Sequence, residues 1–334
     1  MKKINTLVVG QGIAGTLVAF MLHRHKIPFM VIDPGETNTS SRIAAGMFTP
    51  VSGKRKTIHP DVLLQIPFAI KICREIEQLL GAAILHLHNI YQVFNSVTEK
   101  NDLLSKSATA EFEKYILFNP PALPNIKQET GACEITHSGW VDCGLLITRF
   151  AEWLKQNEAL TEAAFVHQEL ETGNKLMEYH GMQFSKIIFC EGYGAIHNPF
   201  FHNQNIIPCK GDMLTILYDH PVTDRIVKKD GIYLIPAGNN LFRAGSTYGW
   251  NNNSTQPDES GKKLIEDRLD AMLENKYTTI DHRVAIRPTT QNREVIVRQH
   301  PKHTGMFMLN GLGTKGILQG PWWAKRVVEL CEGQ

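Results

Sequence analysis

Three closely spaced glycines and a later aspartate open the chain with a recognisable chemical pattern. The glycine segment fits GxGxxG, and Asp33 follows near the offset of about 20 residues at which such turns carry an acid. Its residues are Gly10, Gln11, Gly12, Ile13, Ala14 and Gly15. In such a turn the glycines allow a tight bend, close approach to a pyrophosphate, and close helix packing. An acid at this position accepts hydrogen bonds from ribose hydroxyls and repels a 2′-phosphate, which argues against NADP.

The elements around this segment are those that would position it for binding. Residues 4–9 end in a short apolar run typical of a buried parallel strand, and residues 16–25 follow the glycines as a helix. A second short strand over 29–32 ends at Asp33. The free N–H groups and partial positive charge of the helix start would face the phosphates. This context favours a dinucleotide over a chance glycine turn, but it does not separate NAD from FAD.

Similar strands recur along the chain and suggest how it is organised. Further strands are predicted over 90–94, 186–190, 213–217, 231–235 and 306–309. Further helices are predicted over 63–80, 144–154, 261–273 and 317–331. The pattern predicts an α/β fold, α+β overall, with a Rossmann-type cofactor domain and a second substrate domain rich in mixed β-sheet. The cofactor domain is expected over 1–81, 140–205 and 285–334, and the substrate domain over 82–139 and 206–284.

Composition narrows the classes of function. The 334 residues carry a formal net charge of +2, with lysine and arginine scattered, which argues against nucleic acid as the main partner. The six cysteines form no CxxC pair and no zinc-like cluster, so a cytoplasmic protein with reduced thiols is expected. No apolar stretch reaches the roughly 18 residues that a membrane-spanning helix requires.

Three further segments, taken with the N-terminal turn, resemble the D-amino acid oxidase family of flavoproteins, which includes glycine oxidase and sarcosine oxidase. They are SSRIAAGMFTP, KIIFCEGYG and MFMLNGLGTKGILQGPWWAKRVV. The resemblance is clearest at the termini and nearly absent over 82–134. It implies bound FAD. Some relatives attach the flavin through a cysteine, and none lies between Arg287 and Cys331, so noncovalent FAD is expected.

The resemblance also implies which residues hold the FAD. Segment Gly10–Gly15 would bind the pyrophosphate and Asp33 the adenosine ribose, with help on the pyrophosphate side from Ser41 and Arg42. The resemblance places Ala45, Gly46 and Met47 near the isoalloxazine. It also implies Gly192 in the central segment as a cofactor contact. The residues it places along the pyrimidine edge are Gly311, Gly313, Thr314, Lys315, Gly316 and Ile317. Reduced flavin carries negative charge at N1 and the C2 carbonyl, which N–H groups and a helix N-terminus stabilise. Without the N-terminal turn, an ordinary strand-capping turn would explain these glycines.

Family members oxidise amines, usually amino acids, by hydride transfer to flavin N5, so a small-molecule amine or amino acid is the expected substrate. A substrate carboxylate calls for arginine, whose planar fork binds it bidentately. Arg287, in VAIRPTT, resembles the Arg-Pro segment of these enzymes, and a structural ion pair is the alternative. Lys315 lies where glycine oxidase-like members have an arginine that holds the carboxylate. This departure allows monodentate binding or a different substrate.

The segment GIYLIPAGNNLFRAGSTYG resembles the strand pair opposite the flavin. Arg243 lies where sarcosine oxidase-like members have an oxygen-activating lysine, and an arginine cannot shuttle a proton, which leaves the electron acceptor open. Tyr248, with Tyr233 and Trp250, would line the pocket or pack in the core.

The sequence leaves several alternatives open. The cations of GKRKTIHP form a solvated loop or attract an anionic or RNA-bound amine. An RNA-bound substrate is included because the flavoprotein half of tRNA wobble-uridine-modifying enzymes belongs to the same family. His86 and His88 are interpreted as exposed, not as metal ligands. An NAD-dependent dehydrogenase would explain the first turn but not the other segments. A flavin-binding protein without catalysis is the third alternative.

Overall fold

The computed structural model describes residues 2–53, 55–173, 175–202, 204–220, 222, 224–250 and 253–333. The helices are α1 Ile13–Arg24, α2 Ser40–Ile43, α3 Val62–Leu80, α4 Val97–Ser107, α5 Cys143–Gln156, α6 Glu259–Asp270 and α7 Gly316–Cys331. The strands of the first half are β1 Lys2–Lys3, β2 Thr6–Val9, β3 Phe29–Asp33, β4 Met47–Phe48, β5 Val51–Ser52, β6 Thr57–Ile58, β7 Leu85–Leu87, β8 Ile90–Val93, β9 Ile116–Phe118, β10 Ala132–Ile135, β11 Gly139–Val141 and β12 Leu160–Glu162. Those of the second half are β13 Glu171–Thr172, β14 Met177–Tyr179, β15 Met182–Phe184, β16 Lys186–Phe189, β17 Ile206–Leu217, β18 Ile226–Lys229, β19 Ile232–Pro236, β20 Leu241–Gly245, β21 Gly249–Trp250, β22 Thr278–Thr290, β23 Ile296–Gln299 and β24 Met306–Asn310.

A six-stranded sheet in the order β12-β3-β2-β16-β24-β23 carries the N-terminal turn. Its strands are parallel except for β23, which runs antiparallel to β24. The central strand β2 is buried along its whole length, as expected from its apolar residues Leu7, Val8 and Val9. Helices α1, α3, α5 and α7 contribute to the core on one side of this sheet, and β14 and β15 contribute to the core on the other. The parallel strands therefore direct their carboxyl ends, and the turns that follow them, to one edge.

A nine-stranded, mostly antiparallel sheet forms the second layer, and it is built around the long pair β17 and β22. Helix α6 packs on one face of this sheet, with Ile265 and Leu269 in that core. The opposite face packs near Ala45 and Met47 of the loop after α2. The predicted α/β fold with a second mixed sheet is confirmed. The predicted boundary between residues 284 and 285 lies inside β22, a strand of the second sheet.

The main differences from the sequence-based elements have local causes. Strand β17 begins at Ile206 and not at residue 213. The prediction missed its first half because Pro208 and Gly211 are residue types that are uncommon inside strands. Helix α6 begins at Glu259 because the Asp258 side chain accepts a hydrogen bond from the Gly261 N–H. No helix in the described ranges is long and apolar enough to cross a membrane.

The cysteines give a direct test of this packing. All six are free and buried, and burial raises the pKa of Cys73, Cys133 and Cys143 to about 12. Because the thiolate is the reactive form, we expect a disulfide-exchange dye to titrate fewer than one thiol per native chain. The same assay in denaturant should titrate all six. Rapid reaction of two or more thiols before unfolding would contradict this packing.

Candidate active site

The N-terminal turn is held against its neighbours so closely that two of its glycines have no room for a side chain. Gly10 has a φ of +96°, and a Cβ there would lie 2.5 Å from the carbonyl oxygen of Cys190 at the end of β16. A Cβ on Gly15 would lie 1.8 Å from the carbonyl oxygen of Gly10. These contacts bring the start of α1 against the turn, as close helix packing after a parallel strand requires.

The third glycine of the turn lies beside the short helix α2. A Cβ on Gly12 would approach the Ser41 hydroxyl oxygen to 2.8 Å. That oxygen accepts a hydrogen bond of 2.9 Å from the Ile13 N–H at the start of α1. Thr39 in turn caps α2 by accepting from the Arg42 N–H. Ser41 is thus fixed at the positive end of α1, where an anionic group is stabilised.

Asp33 faces an open cleft at the end of β3. One carboxylate oxygen accepts a hydrogen bond of 2.6 Å from the Gln11 N–H, and the other accepts one of 2.8 Å from the Gly35 N–H. Arg42 lines the same cleft and donates to the Thr148 hydroxyl at 2.9 Å. Each carboxylate oxygen has lone pairs left beyond these bonds, so Asp33 can also accept from a ribose diol.

The loop after α2 is tied to β11 and to the second sheet. Gly46 has a φ of +65°, and a Cβ there would lie 1.9 Å from the carbonyl oxygen of Val141. Its own carbonyl oxygen accepts from the Val141 N–H at 3.0 Å. From the second sheet, the Arg243 guanidinium donates to the carbonyl oxygen of Ile43. Burial lowers the pKa of Arg243 below its usual value. Arg243, predicted to act in catalysis, is engaged here in holding the loop.

The C-terminal glycine turn lies next to the N-terminal one. Gly311 and Gly313 both have positive φ, at +74° and +53°, and the Gly313 N–H donates to the carbonyl oxygen of Pro288 at 3.1 Å. A Cβ on Gly316 would touch the Ile13 side chain at 3.5 Å. The first turn of α7 thus packs on the first turn of α1. The two ends of the chain meet at one edge of the sheet.

Other predicted cofactor residues lie around these turns in different ways. The Asn310 amide of β24 donates to the carbonyl oxygen of Gly192 at 2.8 Å, which links the central glycine segment to the C-terminal turn. The side chains of Ile13 and Ile317 are buried in the core between α1 and α7, so only their backbone can face a ligand. Thr314 is exposed.

Two buried polar atoms near these loops have no hydrogen-bond partner in the described part of the chain. They are the Thr289 hydroxyl oxygen and the Trp140 indole nitrogen. A Cβ on Gly313 would lie 3.7 Å from the Thr289 oxygen, and Trp140 pairs with Met47 in the loop after α2. Buried polar atoms are nearly always satisfied, so these two are free to bond to a polar ligand, although Gln65 and Gln204 have similar unpartnered oxygens. Together with the glycine contacts, they fit a flavin nucleotide.

Arg287 lies partly buried on β22 and is held by backbone and hydroxyl oxygens. Its guanidinium donates to the Ser246 hydroxyl at 2.7 Å and to the carbonyl oxygen of Thr247 at 3.1 Å. It lies 4.9 Å from the ring of Tyr248, which is 55% exposed. The alternative of a structural ion pair is not found: no carboxylate in the described ranges forms one with Arg287. Its fork is oriented without being neutralised, as carboxylate binding requires.

A glycine that the sequence did not single out makes room for Arg287. A Cβ on Gly211 would lie 2.1 Å from a guanidinium nitrogen of Arg287. The next residue, Asp212, is buried, accepts from the Thr247 hydroxyl and lies 2.9 Å from the His282 imidazole nitrogen. The Thr247 carbonyl oxygen accepts a hydrogen bond from Arg287. Asp212 and His282 therefore support the arginine indirectly, through Thr247. No signal in the sequence marked this contact, because the predicted strand begins at residue 213. In the observed strand Gly211 is an interior glycine, which often marks a close approach.

Lys315 directly precedes α7. Its pKa is lowered by burial and by the positive charge of Arg293. Within the described residues it has no ion pair. His86 and His88, predicted to be exposed, are both half-buried, and His86 stacks on the Trp140 ring at 4.1 Å. For His86 that correction follows from the pairing of β7 with β11. No group of three metal-ligating side chains occurs among the described residues.

Comparisons with known proteins agree with this geometry. The family model described as DAO, FAD dependent oxidoreductase, matches residues 5–330. Glycine oxidase from Geobacillus kaustophilus superposes with a TM-score of 0.83 at 18% identity, over 100% of this chain and 96% of that one. Glycine oxidase from Bacillus cereus ATCC 14579 gives 0.83 at 16%, over 99% and 95%. Iminodiacetate oxidase from Chelativorans sp. BNC1 gives 0.79 at 18%, over 99% and 96%.

The family match extends over nearly the whole chain and includes both glycine turns. The glycine contacts at the edge of the six-stranded sheet suit the cofactor of that family, and so do the unpartnered polar atoms of Thr289 and Trp140. The resemblance inferred from the sequence is therefore confirmed, and so is FAD as the cofactor. The protein belongs to the DAO family of FAD-dependent oxidoreductases.

Proposed function

We propose that the protein oxidises a C–N bond of an amine or amino acid that carries a carboxylate. One observation carries this proposal: the Arg287 fork is oriented by Ser246 and Thr247 but has no carboxylate partner among the described residues. An arginine held in this way is suited to a planar anion. Glycine oxidase and iminodiacetate oxidase, two proteins of similar fold, are named for substrates of this class.

The proposed cofactor contacts follow the sequence prediction. Segment Gly10–Gly15 and Ser41 would bind the pyrophosphate, with Arg42 nearby, and Asp33 would bind the ribose. Residues 45–47 and the turn 311–317 would surround the isoalloxazine. Bound FAD supplies the acceptor for the hydride that leaves the substrate carbon. The division into a cofactor domain and a substrate domain remains part of this proposal.

The remaining residues would act on the substrate side. Arg287 would hold the carboxylate and so orient the substrate amine, with Tyr248 closing the outer wall of the pocket. Lys315 would add positive charge near the pyrimidine edge, although burial and the charge of Arg293 hold its pKa below the usual value. Arg243 would keep the loop after α2 in place through the carbonyl oxygen of Ile43.

The test is an anaerobic titration of the flavin absorbance with glycine, sarcosine, D-amino acids, proline and carboxymethylaminomethyl-uridine tRNA. Bleaching by a free carboxylate-bearing amine supports the proposal. Bleaching by the tRNA alone would instead support the RNA-modification alternative. Full reduction by dithionite with no reduction by any amine would reject the proposal in favour of a flavin-binding protein without this activity.

Gly211 provides an indirect test of the role of Arg287. In Gly211→Ala the new Cβ would overlap the guanidinium, which must then leave the sheet surface. Displacing a charge-assisted hydrogen bond costs about 1.5–3 kcal/mol, so we expect kcat/KM to fall roughly tenfold to a hundredfold. Flavin content should remain unchanged. Gly194→Ala is the control, because a Cβ there meets nothing within 4 Å. Equal activity of the two variants would contradict the placement of Arg287.

A further inference from the structure

Two lysines lie together on the second sheet, away from Arg287. Lys228 on β18 pairs with Tyr233 on β19 and with Gln92 on β8, and its ammonium lies 5.2 Å from the Tyr233 ring centre. Lys56, between β5 and β6, lies 3.4 Å from the Gln92 amide oxygen. Both lysines are half-buried. Lys56 and Lys228 together form the lysine pair.

The two ammonium groups of the lysine pair have only one carboxylate, that of Glu99, as an ion-pair partner among the described residues. Lys56 forms an ion pair of 3.3 Å with Glu99. The other oxygen of that carboxylate already accepts two hydrogen bonds from Asn95. Lys228 forms no ion pair within the described ranges. Burial lowers the pKa of both lysines, and the charge of Lys228 lowers that of Lys56 further. Two desolvated cations beside one carboxylate are unfavourable, and either the loss of a proton from one lysine or the binding of a further anion relieves this.

The lysine pair and Arg287 share one face of the sheet. Directly paired residues point to the same side, and the pairs run from Lys228 to Tyr233, then to Gly245, then to Met213. Gly211 lies two residues before Met213 and therefore faces the same way, and the Arg287 guanidinium lies over Gly211. This face also packs near Ala45 and Met47 of the loop after α2.

The separation suits one small molecule. The Arg287 guanidinium lies over Gly211 on β17, which is three strands from Lys228 on β18, or about 14 Å at the usual spacing. The Lys228 side chain, whose ammonium lies over the neighbouring Tyr233 ring, shortens that gap. Tyr233 lies between them, where an aliphatic linker could pack on its ring.

We propose that the lysine pair is a second anion subsite, which binds the distal carboxylate of the substrate while Arg287 binds the carboxylate next to the amine. The preferred substrates are then acidic amino acids or dicarboxylic amines. This inference rests on the proposed function.

The experiment uses the FAD-loaded protein and measures binding of unreactive carboxylates from changes in the flavin spectrum. Succinate is compared with butyrate, and glutarate with pentanoate, so that each pair differs by one carboxylate. A second charge-assisted contact should make at least one dicarboxylate bind roughly tenfold to a hundredfold more tightly than its partner. Lys228→Met and Lys56→Met should each reduce that preference and leave the monocarboxylate Kd unchanged. Lys263→Met, a surface change on α6, should behave as the wild type.

The outcomes separate this inference from the proposed function. If monocarboxylates bind and amines reduce the flavin but dicarboxylates gain nothing, the second subsite is wrong and the proposed function stands. The second subsite is also wrong if inorganic phosphate binds at the lysine pair and changes the flavin spectrum but dicarboxylates do not compete with the phosphate. If no carboxylate binds and no amine reduces the flavin, both proposals fail. Far-ultraviolet circular dichroism and Tm identify any variant that has not folded, and Lys228→Arg, which keeps the charge, should then retain the preference.

Discussion

Gly12→Ala is expected to yield a folded protein that binds FAD more weakly and purifies with less flavin than the wild type. The Gly12 backbone has a φ of −71°, which any residue adopts, so the substitution adds no backbone strain. The new Cβ would lie 2.8 Å from the Ser41 hydroxyl oxygen and would occupy the approach to the pyrophosphate. Such overpacking costs about 1–3 kcal/mol, so the Kd for FAD should rise roughly fivefold to more than a hundredfold. The ratio of flavin to protein absorbance and FAD titration of the apoprotein measure this.

A double variant separates the two sources of crowding. In Gly12→Ala with Ser41→Ala the clash within the protein is removed, because the Ser41 Cβ lies 3.7 Å from the added atom. If the cofactor itself needs the space, the double variant should still bind FAD more weakly than Ser41→Ala alone. Gly194→Ala should load normally. Recovery of full FAD affinity in the double variant would limit the role of Gly12 to accommodating Ser41.

The sequence predicted the cofactor layer well because its signals are local. A short apolar run, glycines at fixed spacing and an acid at the next strand end all depend on one βαβ unit, and Gly10, Gly15 and Asp33 lie where that unit requires. The contact of α7 with α1 joins residues about 300 positions apart, as shown by Gly316 against Ile13. Only the resemblance to a family could suggest that contact, because spacing within one segment carries no information about it.

The substrate side was predicted less completely because its geometry depends on register between distant strands. The pairing of β22 with β17 sets Arg287 beside Cys209, and the space over Gly211 lets the guanidinium cross to Ser246. Nothing in the types of these residues fixes that pairing. The lysine pair was seen only in part: Lys56 belongs to a segment noted for its charge, but Lys228 joins it through the parallel pairing of β18 with β8. Long-range register is what the sequence alone leaves undetermined.

Arg287→Met is expected to lower kcat/KM for a carboxylate-bearing substrate by roughly a hundredfold to a thousandfold. The variant keeps much of the side-chain volume over Gly211 but loses every donor to the substrate and to Ser246. Truncating one partner of a desolvated charge pair costs about 2–5 kcal/mol, which covers this range. Arg287→Lys should recover only part of the loss, because an ammonium cannot form the bidentate contact. Stopped-flow reduction of the flavin, measured over a range of substrate concentrations, gives the binding and reduction constants separately.

The division of the loss between those constants is informative. An arginine that only anchors the carboxylate should weaken binding in Arg287→Met while the limiting reduction rate changes little. An arginine that also orients the amine should lower the limiting rate as well, because misalignment of a bound substrate slows the reaction itself. Arg326→Met removes the same charge from the surface of α7 and should change neither constant. The reactivity of an amine without a carboxylate should fall far less in Arg287→Met. Equal losses for both kinds of amine would show that Arg287 supports the fold of the site and does not bind the substrate.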